Sequence, residues 1–394
     1  MRTITVEQRR ARLARRHQLS PTAAASASAS VADVTERLVA LHATDPATPY
    51  LSLWARLPGV ARDDVDAALY RDRSVVKHLA MRRTLWVVRP ADLPAVQAAA
   101  SDRVAANEAR RLAADVERAG VAADGAAWLD AAGAAVLRHL RDEGPCSARE
   151  LREALAELTG TYNPAPDKAY GGEGHLAPRV LTVLSARGHI VRGVNDGGWL
   201  TSRPRWTLTE AWLPGLATAA EADAASAELV RRWLATFGPA TLTDIKWWFG
   251  TTLTWARKAL SAIGAEEVRL DGGTGYVTPG DGDDSADEPD PEPWCALLPS
   301  LDPTTMGWFD RDWYLGPHRA EVFDRNGNAG PTAWVDGRVV GAWRSDDAGR
   351  VELVLLENVG RRAASALADR GAELTDWLGG ARVSPRFPSP ACKR

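Results

Sequence analysis

Within four consecutive positions, His42-Ala43-Thr44-Asp45, the chain places an imidazole, a hydroxyl and a carboxylate directly before Pro46. A neutral imidazole can accept a hydrogen bond from a water molecule, and a threonine hydroxyl can hold the same water from another side. With a carboxylate beside them, such groups suit a hydrolytic reaction in which water is the nucleophile. They suit a structural role equally well, because Thr and Asp are common where backbone groups lose their helical partners. Leu38, Val39 and Leu41 continue a helical apolar face towards the trio, and Pro46 disfavours helix beyond Asp45, so the trio is expected at a helix end.

Competing chemistries fail on spacing. The histidines, His17, His42, His78, His139, His175, His189 and His318, never form a metalloprotease-like pair, and no Cys-x-x-Cys occurs, so neither metal nor cofactor is expected. The Gly-rich "NDGGW" and "DGGTG" each fall inside a hairpin pattern rather than between a strand and a helix, which makes them turns and not phosphate loops. Cys146, Cys295 and Cys392 are odd in number and far apart, as expected of reduced structural thiols.

The elements that must position the trio are organised as a repeat. "RDEGPCSARELREAL" (Arg141 to Leu155) and "ATFGPATLTDIKWWF" (Ala235 to Phe249) align on Gly144-Pro145 and Gly238-Pro239, then on Ser147 and Thr241, then on Leu151 and Ile245. In each copy a long helix precedes the Gly-Pro stop and a Ser or Thr caps a short second helix. A third helix follows, Leu176 to Gly188 or Leu253 to Gly264, and then a hairpin with Asp196-Gly197-Gly198 or Asp271-Gly272-Gly273 at its turn. Helix, helix, helix, hairpin is the winged-helix order. The segments Glu150 to Leu158 and Leu242 to Phe249 should therefore be equivalent second helices. The predicted division is a diverged winged helix over 1–119, winged helices over 120–215 and 216–280, an acidic loop over 281–293, and a β-rich unit with a final helix over 294–394.

At 394 residues, 45% hydrophobic and 25% charged, the chain reads as a globular protein of several compact units. It has no apolar run of membrane-spanning length, and its first residues lack the apolar centre of a signal peptide, so a cytoplasmic protein is expected. The net charge of -3 hides an asymmetry: residues 1–119 hold 19 Arg and Lys against 13 Asp and Glu, whereas "DGDDSADEPDPEP" (Asp281 to Pro293) holds seven acids and no base. The balance is compatible with a DNA-facing surface, and equally with arginines scattered on solvated helix faces.

"HATDPATPYLSLWARLPG", "LPSLDPTTMGWFDRDWYLG", "FDRNGNAGPTAWVDGRVVGAW" and the tail "RVSPRFPSP" together resemble the winged-helix DNA-binding family that includes the bacterial AlkZ-type DNA glycosylases, in order and over essentially the whole chain. The resemblance implies a mainly α fold with small β elements (α+β), built as tandem winged helices in a C-shape with a C-terminal β-rich unit around a basic channel for double-stranded DNA. It implies hydrolysis of the N-glycosidic bond of alkylated purines, including bulky or crosslinked N7-guanine adducts. The family's catalytic motif is Gln-x-Gln, or Gln-x-Asp in a sister branch, before Asp-Pro; the matching positions here are His42 and Thr44, and both depart from it. An N7-alkylated guanine is cationic and leaves readily, so placing a water and stabilising the sugar cation suffices. His42 as the base, Thr44 and Asp45 are the catalytic candidates on that basis.

Arg82 and Arg83 lie where the family has an arginine-containing strand near the channel. With Arg56, Trp206, Arg311 and Arg386 they are the candidates for DNA contact. Trp247 and Trp248 read as core. Asp302, Arg311 and Asp312 read either as the edge of the active site or as internal ion pairs. The expected protein is a monomeric, cofactor-free, monofunctional DNA glycosylase serving resistance to a DNA-alkylating natural product; the alternative is a non-catalytic winged-helix DNA-binding protein.

Overall fold

Thr5 opens the first helix with a reciprocal cap: its hydroxyl accepts from the Gln8 N–H while the Gln8 side chain accepts from the Thr5 N–H at 2.9 Å. This helix, α1 (Val6–Arg16), buries Leu13 and Ala14. Ser30 and Asp33 repeat the device at α2 (Val31–Arg37). A two-residue strand β1 (Leu41–His42) and helix α3 (Thr48–Trp54), every residue of which is buried, complete the N-terminal stretch. The computed structural model describes residues 1–25, 30–163, 172–217, 220–281 and 292–393, so the predicted acidic loop, from residue 282 to 291, lies outside the described residues. The chain is mainly α with small antiparallel sheets.

Two compact units result, Leu69–Ala225 and the pair of segments Met1–Ala68 with Ser226–Arg394. They do not follow the predicted division at residue 119. Residues 69–119 instead join the contiguous unit, because Leu112 and Val116 pack into one cluster with Val136, Leu151 and Leu181. Residues 1–68 join the other unit, where Ile4 packs on Val268, Leu270 and Val277.

The contiguous unit begins with antiparallel strands β2 (Val76–Leu79) and β3 (Leu85–Val88), in register Val76 to Val88. Helices α4 (Asp102–Arg118), α5 (Gly125–Asp142), α6 (Ala148–Ala154) and α7 (Ala177–Ala186) follow, then the hairpin β4 (Ile190–Asn195) and β5 (Pro204–Leu208). The other unit resumes with α8 (Ala222–Phe237), α9 (Leu242–Phe249), α10 (Leu253–Ala262) and the hairpin β6 (Glu266–Leu270) and β7 (Gly273–Val277). Ser147 with Glu150 and Thr241 with Asp244 form matching capping boxes at the starts of α6 and α9. The first copy is shorter than the sequence pattern implies: α6 ends at Ala154, and only a 3-10 turn follows over Ala156–Leu158.

An antiparallel meander β8 (Cys295–Leu298), β9 (Thr332–Val335), β10 (Arg338–Ser345) and β11 (Val351–Leu355) follows, and α11 (Gly360–Leu378) packs on β8 and β11. Its tight β9–β10 turn uses Asp336 and Gly337, both at positive φ as a hairpin of this length requires. Among the described residues no helix is long and apolar enough to cross a membrane.

His17 ends α1 inside an aromatic cluster, edge-on to Phe237 at 4.7 Å and stacked on Trp308 at 5.7 Å, with its Nδ1 2.7 Å from the Thr304 hydroxyl. Burial pushes its pKa down to about 3. His78 on β2, bonded to the Ser101 hydroxyl at 2.9 Å, is likewise pushed down to about 4 by burial. Both rings stay neutral when folded and protonate near 6.5 when unfolded, so the unfolded chain binds more protons across that window. Stability should therefore fall as pH drops from 6.5 towards 4, each ring contributing up to about 1.4 kcal/mol per pH unit. Urea denaturation across this range checks it, and His17→Gln should flatten the slope.

Candidate active site

The helix preceding the polar trio stops earlier than its apolar pattern suggests. α2 ends at Arg37, and the Ala40 N–H bonds the Leu38 carbonyl at 2.7 Å, closing a γ-turn on Val39 at φ 65°. A β-branched residue in the left-handed region is strained. The turn persists because Leu38, Val39, Ala40 and Leu41 are all almost fully buried, so tertiary packing over-determines it. His42 thus follows a sharp change of chain direction and lies in a strand rather than at a helix end.

From there the geometry is local and dense. The Thr44 N–H donates to His42 Nδ1 at 3.3 Å. Asp45 Oδ1 accepts from the Ala47 N–H at 3.2 Å, and its main-chain carbonyl accepts from the Thr48 N–H at 3.2 Å, which turns the chain into α3. Its other oxygen, Oδ2, accepts from the Arg386 N–H at 2.9 Å, while the Arg386 guanidinium donates to the Thr44 carbonyl at 3.3 Å. His42 and Asp45 are buried, Thr44 is half-buried and Arg386 is exposed. Burial raises the Asp45 pKa above the ordinary carboxylate value, and the two N–H donors and the Arg386 charge pull it part of the way back.

Beneath this loop Arg56 and Asp302 form an ion pair with both side chains fully buried. Arg56 Nη2 lies 2.7 Å from Asp302 Oδ1 and Nη1 lies 2.9 Å from Oδ2. The remaining donors reach the carbonyls of His17 and Ser52 and the Thr304 hydroxyl, so all five N–H groups of the guanidinium are used. The carboxylate also accepts from the Ser52 hydroxyl at 2.6 Å and the Thr304 N–H at 2.9 Å. Burial alone would raise the Asp302 pKa, and the Arg56 charge with these donors holds it below the ordinary value instead.

Several of the residues expected to contact DNA are buried. Arg56 is internal, as just described. Arg311 is 4% exposed, donates to the Trp308 carbonyl, and sits between the rings of Trp247 at 4.7 Å and Phe323 at 4.4 Å. Trp206 is buried on β5, exchanging main-chain hydrogen bonds with Cys146. The sequence marks Arg, Arg and Trp but not their burial, and here each is held by packing.

Arg82 and Arg83 are not on a strand. They are the central residues of the tight turn joining β2 to β3, closed by the Thr84 N–H on the Met81 carbonyl at 3.1 Å, and both adopt positive φ, 56° and 61°. A hairpin favours this geometry with Asn-Gly, whereas each arginine there costs about 1–2 kcal/mol. Arg83 is half exposed and paired with the buried Glu108 at 2.7 Å; Arg82 lies over Trp86.

The structure therefore brings His42, Thr44, Asp45 and Arg386 together, while Arg56 and Asp302 pair with each other and with His17, Ser52 and Thr304. Sequence reasoning missed the Val39 turn and the contact of the tail with Asp45.

A buried, hydrogen-bonded carboxylate three positions from an imidazole is a set of groups that suits hydrolysis by water. The family model "DNA glycosylase AlkZ-like" matches residues 35–377, and the chain belongs to that family. Among solved structures it is similar in fold to the Streptomyces sahachiroi DNA glycosylase AlkZ, with a TM-score of 0.75 and 23% sequence identity over 98% of this chain and 100% of that one. No curated protein sequence matches it.

Replacing Arg56 by Ala leaves Asp302 buried and unpaired. The variant should lose about 3–5 kcal/mol of stability, measured by chemical denaturation at neutral pH. Asp302→Ala should be similarly damaging.

Proposed function

We propose that this glycosylase hydrolyses the N-glycosidic bond of alkylated purines in double-stranded DNA, of the bulky or crosslinked N7-guanine kind, with Asp45 as the base. The observation that carries the assignment is the Thr44 N–H on His42 Nδ1. An imidazole that accepts at Nδ1 carries its proton on Nε2 when neutral, so Nε2 presents a donor and not a base. The base in the stretch is then the carboxylate, whose raised pKa makes it a better proton acceptor than an exposed one.

The chemistry balances with no other group. As the bond from sugar C1′ to the purine nitrogen breaks, its electron pair neutralises the cationic adduct, which needs no acid to leave. Positive charge gathers on the sugar and is stabilised by the anionic Asp45. The water oxygen bonds to C1′ and its proton passes to the Asp45 carboxylate, while His42 and Thr44 orient the water. The two helix-helix-helix-hairpin repeats act as winged helices, and the strained Arg82-Arg83 turn offers cations to the phosphates. A monomer acting in the cytoplasm in resistance to a DNA-alkylating natural product is the role that fits such a substrate.

Single-turnover excision from a duplex carrying N7-methylguanine, read as alkali-labile sites, tests this. Asp45→Asn should slow excision about a hundredfold or more with DNA affinity retained, and His42→Ala should slow it less. The wild-type rate should decline at acid pH through a value above the ordinary 3.8 of a carboxylate, because protonation removes the base. An inactive wild type that still binds the duplex would instead indicate a damage binder. In a separate measurement, Arg83→Ala should weaken DNA binding and reduce its salt slope by about one.

A further inference from the structure

The C-terminal residues after α11 form no helix or strand until a last 3-10 turn over Ala391–Lys393, yet they are firmly placed. The Val383 N–H bonds the Ser345 hydroxyl on β10 at 3.3 Å. Further on, Ser389 and Ala391 are fully buried, and Ser389 packs so closely on Gly330 that a Cβ there would lie 2.4 Å from its hydroxyl oxygen. Cys392 Sγ lies 3.6 Å from the Trp343 carbonyl, again on β10. Between these two anchors the chain reaches Asp45 through the Arg386 N–H.

We infer that this tail is a working part of the active site and that Arg386 is a positioning residue: its main-chain N–H holds the Asp45 carboxylate in its ionised form, and its guanidinium braces the Thr44 carbonyl. The inference rests on the assignment of Asp45 as base. A carboxylate that is 4% exposed has lost most of its hydration, and without compensating donors it would favour the protonated form, which cannot accept a proton from water. The compensation comes from few groups. The turn into α3 supplies the Ala47 N–H, and the tail supplies an N–H and a positive charge. His42 is the titratable ring on the same stretch, and the Arg56–Asp302 pair behind it is neutral as a unit.

Because the donor is a main-chain N–H, two substitutions at one position separate the contributions. Arg386→Ala keeps the N–H and removes the charge, whereas Arg386→Pro removes both. Single-turnover excision from the N7-methylguanine duplex is measured against pH for both, with Asp45→Asn as the reference. The acid limb of Arg386→Pro should move to higher pH by about one unit or more, since a lost donor raises the carboxylate pKa, with a rate at least about tenfold lower on that limb. Arg386→Ala should move the limb less and chiefly weaken DNA binding.

The labelling rate of Cys392 by a thiol reagent, located by mass spectrometry, reports whether the tail stays docked. An unshifted acid limb in Arg386→Pro overturns the inference, whether the tail is docked or released, and so does a lower rate with no shift. Near-normal excision by Asp45→Asn would overturn the base assignment and the inference with it. Loss of excision in Asp45→Asn together with a wild-type profile in Arg386→Pro would overturn the positioning role alone.

Discussion

The Arg56–Asp302 pair ties together three pieces of chain: the end of α1 through the His17 carbonyl, α3 through Ser52, and the Ser300-to-Thr304 loop through Asp302 and Thr304. A charge pair with no exposure is tolerable only when every donor and acceptor is satisfied, since the loss of hydration is otherwise uncompensated. That requirement fixes the geometry tightly. α3 cannot slide, so the Asp45 turn at its start cannot either. The loop leading out of the sheet is held at the same point, where Thr48 also donates to the Ser300 carbonyl at 2.6 Å. Each remaining feature of the site is built outward from this frame.

On that frame, strain and satisfaction are distributed unequally. Val39, three residues before His42, adopts an unfavourable backbone conformation, and the hydrophobic burial of its neighbours keeps it there. Asp45 is the opposite case, a group made tolerable by donors arriving from two directions. The Arg82-Arg83 turn again bears strain, which places two cations at the tip of a hairpin. Local rules of propensity are broken at Val39 and at the Arg82-Arg83 turn, among other positions, and obeyed at the caps of α1, α2, α6 and α9.

What could be read from the sequence divides along the same line. The repeat was legible because its signals are local: Gly-Pro stops, Ser147 and Thr241 caps, and Asp-Gly turns each act within a few residues. The candidate trio was legible as a cluster of residue types. Its setting was not, because Leu38 to Leu41 are apolar in any helix register and only packing decides that the helix stops at Arg37. Arg56 reads like any surface arginine, since its partner lies 246 positions away. The grip of the tail on Asp45 runs through a backbone N–H, which leaves no mark on residue type at 386. The two compact units part at residue 68 and not at 119 for a related reason: the cores that claim residues 1–68 and 69–119 are completed by other parts of the chain.

The interrupted unit has a consequence for how the molecule comes into being on the ribosome. Leu69–Ala225 is continuous, so its core can close as soon as it has emerged. Met1–Ala68 is made before it but cannot finish burying its apolar surface until Ser226–Arg394 has followed, with the whole of the other unit in between. Ile4 waits for Val268, and Arg56 waits for Asp302. A segment synthesised before the continuous unit is thus completed only after it. Its exposed interval lasts for as long as the intervening unit takes to be translated.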